Sequence, residues 1–311
     1  MKRISDNQKL AEPVVLMIGN FDGVHRGHQA MIQRARQKAC ELGAASAILS
    51  FQPHPLKVLA PDKAPKLLQT PLQKEALLKH YGLDYYVVKT FDRDFAKLSP
   101  RAFVANLCEH IHIRGLIVGF NFHFGFKREG DIHTLARLAP EFGFAFEHIE
   151  AQRCEAAPIS SSRIRACIAD GRIEEASALL GRPYFLQGQV VKGRRLGRTI
   201  DAPTANLVVY NELLPRFGVY ASWARVRHAW YRAITNVGTN PTVGATGTRV
   251  ETHLFDFSGD IYGEELVLCL GRFMRDERRF DNMKMLSEQI HKDFRTRLTY
   301  LDQEPPVFAI V

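Results

Sequence analysis

Between residues 14 and 183, short apolar runs alternate with amphipathic segments. VVLMIG (14–19), SAILSF (46–51), DYYVVK (84–89), GLIVGF (115–120) and FAFEHIE (144–150) read as strands buried within a sheet. Helical spacing fills the intervals: a helix from about His28 to Leu42, PLQKEALLKHYG (71–82) closing on a glycine, SPRAFVANLCEH, and DIHTLARLAPEFG. In the third of these Ser99 caps the helix and Pro100 takes its first position, where a missing N–H costs nothing. Strands alternating with helices predict a parallel sheet with covered faces and right-handed crossovers. Two paired helices, SSRIRACIADG and RIEEASALLGRP, close this half.

After Pro183 the pattern changes to short, often alternating runs. YFLQGQVVKG, ANLVVY, GVYASWARVRH, YRAITNVG, RVETHLFDF and EELVLCLGRF are short runs separated by Gly, Pro, Asn and Asp. Six such runs at close spacing predict an antiparallel barrel, followed by one helical pattern, NMKMLSEQIHKDFRTRL. The expected domains are therefore residues 1–183 and 184–311.

Composition narrows the class without choosing the function. Hydrophobic content of 46% and charged content of 24% are those of an ordinary globular protein. No apolar run is long enough to span a bilayer, and MKRISDNQKLAEP lacks the apolar centre of a signal peptide. Five scattered cysteines without a CxxC pair favour reduced thiols and a cytoplasmic setting over a disulfide framework or a zinc site. The net charge of +9 divides as 25 Lys/Arg against 19 Asp/Glu in 1–183 and 17 against 14 thereafter, with no like-charge block. A diffuse positive surface suits small anionic ligands as well as nucleic acid. The scattered aromatics argue against a stacking platform for single strands.

Chemistry concentrates at two places. The first is IGNFDGVHRGH (18–28), at the junction of a strand and a helix, where backbone amides point outward and favour anions. Gly19, Gly23 and Gly27 allow main chain to approach a polyphosphate, and His25 and His28, three apart, share one side of the turn. Neither GxxxxGK[ST] nor GxGxxG is present. The second is VKGRRLGRTIDAPTANL (191–207), in which Lys192, Arg194, Arg195 and Arg198 interleave with Gly193 and Gly197. In PTAN (203–206), Thr204 and Asn206 offer hard oxygens on alternate positions, a donor set suited to Mg²⁺ shared with phosphates.

GNFDGVHRGH resembles the HxGH nucleotidyltransferases, in the form found in prokaryotic bifunctional riboflavin kinase/FAD synthetases (FMN adenylyltransferases). SFQPHP (50–55), VGFNFHFG (118–125) with REGD (128–131), and ISSSRIR (159–165) are similar to that family's further motifs, in order. The barrel half resembles the riboflavin kinase module through PTAN, NVGTNPT (236–242), VETHLFDF (250–257) and MRDERRF (274–280). One departure stands just before PTAN, where Asp201-Ala202 replaces the family's usual Gly-Phe.

The resemblance implies a Rossmann-like nucleotidyltransferase domain followed by an antiparallel β-barrel riboflavin kinase domain with a C-terminal helix. It implies that riboflavin is phosphorylated to FMN, and FMN adenylylated to FAD, at the expense of ATP. His25, His28 and Arg165 would stabilise adenylyl transfer, with Gly19, Asn20, Phe21, Gly27, Asn121, Ser161 and Ser162 around that ATP. In the kinase, Glu251 would be the base, Thr204 and Asn206 would hold Mg²⁺, and Lys192, Gly193, Arg194, Gly197 and Pro203 would lie at the ATP. Asn236 and Arg275 would face the flavin. The expected partners are small molecules, with neither nucleic acid nor membrane. Two other readings remain open, a cytidylyltransferase and an RNA-binding module.

Overall fold

The computed structural model describes the chain except Asn7, Ala156 and residues 194–201, 240–246 and 301–311. The chain forms two compact units, Met1–Ser160 and the part from Ser161 onward.

The first unit is built on a six-stranded parallel sheet of order β1-β4-β3-β2-β5-β6. Its strands are β1 (Lys2–Ser5), β2 (Leu10–Ile18), β3 (Ala45–Gln52), β4 (Tyr85–Thr90), β5 (Ile111–Gly119) and β6 (Ala145–Ile149). The helices are α1 (Arg26–Leu42), the short α2 (Pro55–Leu59), α3 (Pro71–His80), α4 (Pro100–His110) and α5 (Ile132–Phe142), followed by a hairpin of β7 (Arg153–Cys154) and β8 (Ala157–Pro158). The run VVLMI is apolar throughout because both sheet faces are covered. Val14, Leu16 and Ile18 join a cluster with Phe103, Leu107 and Leu135 from α4 and α5, and Val15 and Met17 are fully buried too. Ser99 caps α4 by accepting the Ala102 N–H at 3.2 Å, as its position before Pro100 predicts.

Strand β1 was not expected. KRIS contributes one buried side chain, Ile4, and is held by backbone pairing with β4 from Lys2↔Tyr85 to Ser5↔Val88. An edge strand of this kind carries no periodic signal, because its stability comes from the ladder and not from its own apolar face.

The second unit opens with α6 (Ser161–Ala169) and α7 (Ile173–Leu180) and continues into a closed barrel of order β10-β13-β12-β11-β14-β9. The barrel strands are β9 (Tyr184–Val191), β10 (Ala205–Val209), β11 (Gly218–Val226), β12 (Ala229–Thr239), β13 (Thr248–Leu254) and β14 (Glu265–Arg275), all antiparallel. All six short runs read from the sequence are barrel strands. The helix α8 (Met283–Leu298) packs on the barrel. It is anchored by Arg297, fully buried, whose guanidinium donates to the carbonyls of Ala233 at 3.2 Å and Ser222 at 3.1 Å and lies over the Trp223 ring. Inside the barrel the hydroxyls of Ser222, Thr235 and Thr252 bond in a chain, at 2.8 and 3.0 Å, so the polar groups buried there are satisfied by one another.

Candidate active sites

In the sheet unit, β2 lies between β3 on one side and β5 on the other, so connections diverge at its carboxyl end. That reversal opens a crevice in a parallel α/β sheet, the usual place for a ligand. Residues 19–28 occupy it. Their turn is tightly wound, with positive φ at Phe21 (47°), Gly23 (86°) and Val24 (39°). Two non-glycine residues in this region, one β-branched, persist only where the surroundings over-determine them.

Those surroundings are polar and specific. The buried Asp22 carboxylate accepts the Leu68 N–H at 3.0 Å, Gln69 donates to the Phe21 carbonyl at 3.0 Å, and Gln29 donates to the Val24 carbonyl at 2.8 Å. The Lys74 ammonium donates to the Asn20 carbonyl at 2.7 Å and to Ser50 Oγ at 3.3 Å. Burial pushes its pKa down, while Asp22 opposes that shift. The Asn20 carboxamide meets His54 Nε2 at 3.1 Å.

His25 is the N-cap of α1, its Nδ1 accepting the His28 N–H at 3.4 Å. This puts the proton of a neutral His25 on Nε2. The two imidazoles stack at 3.6 Å with 17° between planes, and Phe21 lies 4.8 Å from His28. No acidic residue occurs in the first turn of α1. The helix start therefore presents a positive dipole end and two imidazoles, which favours an anion. Gly27 leaves room for the His25 ring: a Cβ there would sit 3.2 Å from it, so the imidazole would have to shift by a few tenths of an ångström. Asn121 lies just past the carboxyl end of β5, the neighbour of β2, and is exposed. Ser161 and Ser162 are the first residues of α6, which also carries Arg165; its buried face is Ile164, Cys167 and Ile168.

In the barrel, the register brings together residues remote in sequence. Asn206 on β10 lies opposite Glu251 on β13, and Glu251 lies opposite Asn236 on β12. Residues directly opposite in an antiparallel pair share a face, so the three polar side chains form one row. Val250, Thr252 and Leu254 are buried on the other face of β13. Burial raises the Glu251 pKa, Arg249 opposes this, with 3.4 Å between guanidinium and carboxylate, and Glu277 adds to it. Asn236 Oδ1 is buried and has no hydrogen-bond partner among the described residues. Thr204, directly before β10, is exposed, as are Pro203 and Lys192.

Gly193 leaves the space that the Asn206 carboxamide fills, since a Cβ at residue 193 would overlap Asn206 Nδ2. Gly193→Ala is therefore expected to displace Asn206 and cut activity at this site by at least about tenfold, the cost of one lost charge-assisted contact. Steady-state rates at saturating nucleotide, compared with the wild type, check this. Arg194, Gly197 and Asp201 lie outside the described residues. Arg275 pairs with Asp293 of α8, Nε at 3.1 Å and Nη2 at 2.7 Å, and Nη1 donates to the Asp276 carbonyl at 3.0 Å.

Sequence reasoning did not single out Lys74, Asp22 or His253. Lys74 braces the histidine turn from a helix far away in the chain, and no local pattern marks it. Asp22 lies within the turn itself, but its partner, the Leu68 N–H, is 46 residues further on. His253 lies within VETHLFDF, two residues after Glu251, so the alternation of a strand could have placed it on the same face.

Comparison with known proteins gives both halves a class. The family model described as FAD synthetase matches residues 7–163, and that described as riboflavin kinase matches residues 180–301. The chain is thus an enzyme composed of a nucleotidyltransferase module and a kinase module. The bifunctional riboflavin kinase/FMN adenylyltransferase of Escherichia coli (strain K12) is 36% identical over 302 residues, covering 96% of each chain. The enzyme of that description from Listeria monocytogenes is 38% identical over 282 residues, covering 90% of each. A solved chain from Streptococcus pneumoniae, described as a macrolide-efflux protein, superposes with a TM-score of 0.88 at 29% identity, over 96% of this chain and 99% of that one. Among the described residues no helix is long and apolar enough to cross a membrane. The chain belongs to the bifunctional riboflavin kinase/FMN adenylyltransferase family.

Proposed function

We propose that the barrel transfers the γ-phosphate of ATP to riboflavin, giving FMN and ADP. The sheet unit then joins FMN to the adenylyl group of a second ATP, giving FAD and pyrophosphate. The observation that carries this reading is that the histidine pair and the Glu251 row lie in different compact units. The first set is a pair of stacked imidazoles at a helix start, and the second a carboxylate facing an amide across a barrel ladder.

The two sets match the two reactions. The ribityl hydroxyl of riboflavin is a poor nucleophile, and Glu251 takes its proton as it attacks the γ-phosphorus. A carboxylate with a raised pKa is better suited to that task than an exposed one. The phosphate of FMN is already an anion and needs no base. For it, His25 and His28 donate to phosphate oxygens and offset the negative charge that develops at the α-phosphorus. Gly19, Asn20, Phe21 and Gly27 shape the turn around that phosphate chain, and Asn121 lies at the neighbouring strand end. Ser161, Ser162 and Arg165, at the start of α6, are linked to nucleotide binding by the ISSSRIR motif alone.

Thr204 and Asn206 supply hard oxygen donors, Gly193 leaves their side room, and a carboxylate lies opposite in the ladder. This donor set fits Mg²⁺, which when bound neutralises charge on the nucleotide phosphates. Lys192, Gly193 and Pro203 border the same segment. The buried acceptor of Asn236 suits a donor on the flavin, and Arg275 of β14 lies in the same row, on the other side of Val219 of β11. The chemistry belongs in the cytoplasm, in keeping with five free cysteines, two of them buried.

Incubation of the pure protein with riboflavin, ATP and Mg²⁺, resolved chromatographically, tests the reading. FMN is expected first and FAD after it, with one pyrophosphate per FAD. Absence of both flavin products overturns the proposal. Turnover of CTP in place of ATP at the histidine site would favour a cytidylyltransferase instead.

A further inference from the structure

We propose that His253 is a positioning residue of the kinase site, its imidazole holding the Pro203 carbonyl so that Thr204 and Asn206 stand at a set distance from Glu251. The β10–β13 ladder pairs Leu207 with Val250, Asn206 with Glu251 and Ala205 with Thr252. There the backbone pairing stops, one residue short of Thr204. The chain leading into PTAN is held at this point by a side chain: His253 Nδ1 lies 2.8 Å from the Pro203 carbonyl oxygen. A carbonyl can only accept, so Nδ1 carries the proton and donates.

The imidazole is itself fixed. It stacks on Phe294 of α8 at 4.3 Å with 20° between planes, and Phe255 meets it edge-on at 5.1 Å. His253 and Glu251, two apart on β13, share a face. The proposed base and the clamp on the proposed metal-binding segment therefore ride on one rigid strand. A donor locked by packing transmits its position to the residues next to the carbonyl it holds, and small misplacements of catalytic groups are costly.

The inference rests on the kinase reading, and two substitutions separate clamp from packing. His253→Phe keeps a ring to stack on Phe294 but removes the donor. His253→Asn removes the ring but places an amide N–H near the position of Nδ1. If His253 positions the PTAN segment, His253→Phe raises the KM for ATP and the Mg²⁺ concentration for half-maximal rate on the order of tenfold. The KM for riboflavin stays within about twofold, and His253→Asn restores most of the loss. If the residue merely packs, His253→Phe behaves as wild type and His253→Asn is the defective variant, which overturns the proposal. Equal impairment of both, with a lowered melting transition, overturns it as well. Wild-type turnover is measured alongside: no phosphorylation of riboflavin by the wild type defeats the kinase assignment itself, whereas normal wild-type turnover with an unaffected His253→Phe defeats only the clamp.

Discussion

Glu251→Gln is expected to lower kcat for riboflavin phosphorylation by about 10²–10⁴-fold, the usual contribution of a positioned general base. The substitution keeps the size and shape of the side chain at the centre of the Asn206–Glu251–Asn236 row and removes its charge, and with it the capacity to take a proton and the pairing with Arg249. Because the group acts in the transition state more than in substrate binding, kcat and kcat/KM should fall together. FMN formed from riboflavin and ATP is the readout. FAD formed from supplied FMN should persist in the same preparation, which also shows that the chain is folded. A variant that still phosphorylates riboflavin at the native rate would remove Glu251 from the reaction.

His28→Ala is the counterpart in the other unit. It removes an imidazole that stacks on His25 at 3.6 Å and sits in the first turn of α1. Loss of one preorganised donor to a developing anion typically costs about 10²–10³ in rate. FAD formation should fall by that factor while riboflavin and ATP still yield FMN, which then accumulates. The thermal transition should move little, since His28 is only half-buried and the N–H it gives to His25 is a main-chain group. FAD production at the native rate would rule out the histidine pair as the adenylyl-transfer site. Loss of both activities in a folded protein would contradict two separate sites.

Much of this architecture is legible in residue order. Short, often alternating runs after Pro183, separated by turn residues, identify six strands. Of these, β13 alternates between buried and accessible positions from Arg249 onward, whereas β9, β11 and β14 each bury five residues in a row. The apolar run at 14–18 followed by glycines and histidines marks a strand that passes through a turn into a helix, and both elements are where expected. Strand β1 was not legible, since its single buried residue gives no period. Lys74 was not legible as part of the histidine turn either. It lies in a helix whose sequence explains itself, and its ammonium reaches the Asn20 carbonyl only once α3 has packed near β2 and β3.

Chain order by itself determined five of the six parallel strands, all six barrel strands and the longer helices, the change of architecture after Pro183, and the position of the two motif sets. Those properties depend on local periodicity and on residue types a few positions apart. Tertiary structure alone decided the ladder register that sets Asn206 against Glu251 and Glu251 against Asn236, the stacking of His25 on His28, and the bond from His253 to the Pro203 carbonyl. A register shift of one residue would turn every one of those barrel side chains to the opposite face while leaving each strand's own pattern unchanged. That choice is made by packing between strands distant in sequence, so no local stretch of the chain records it.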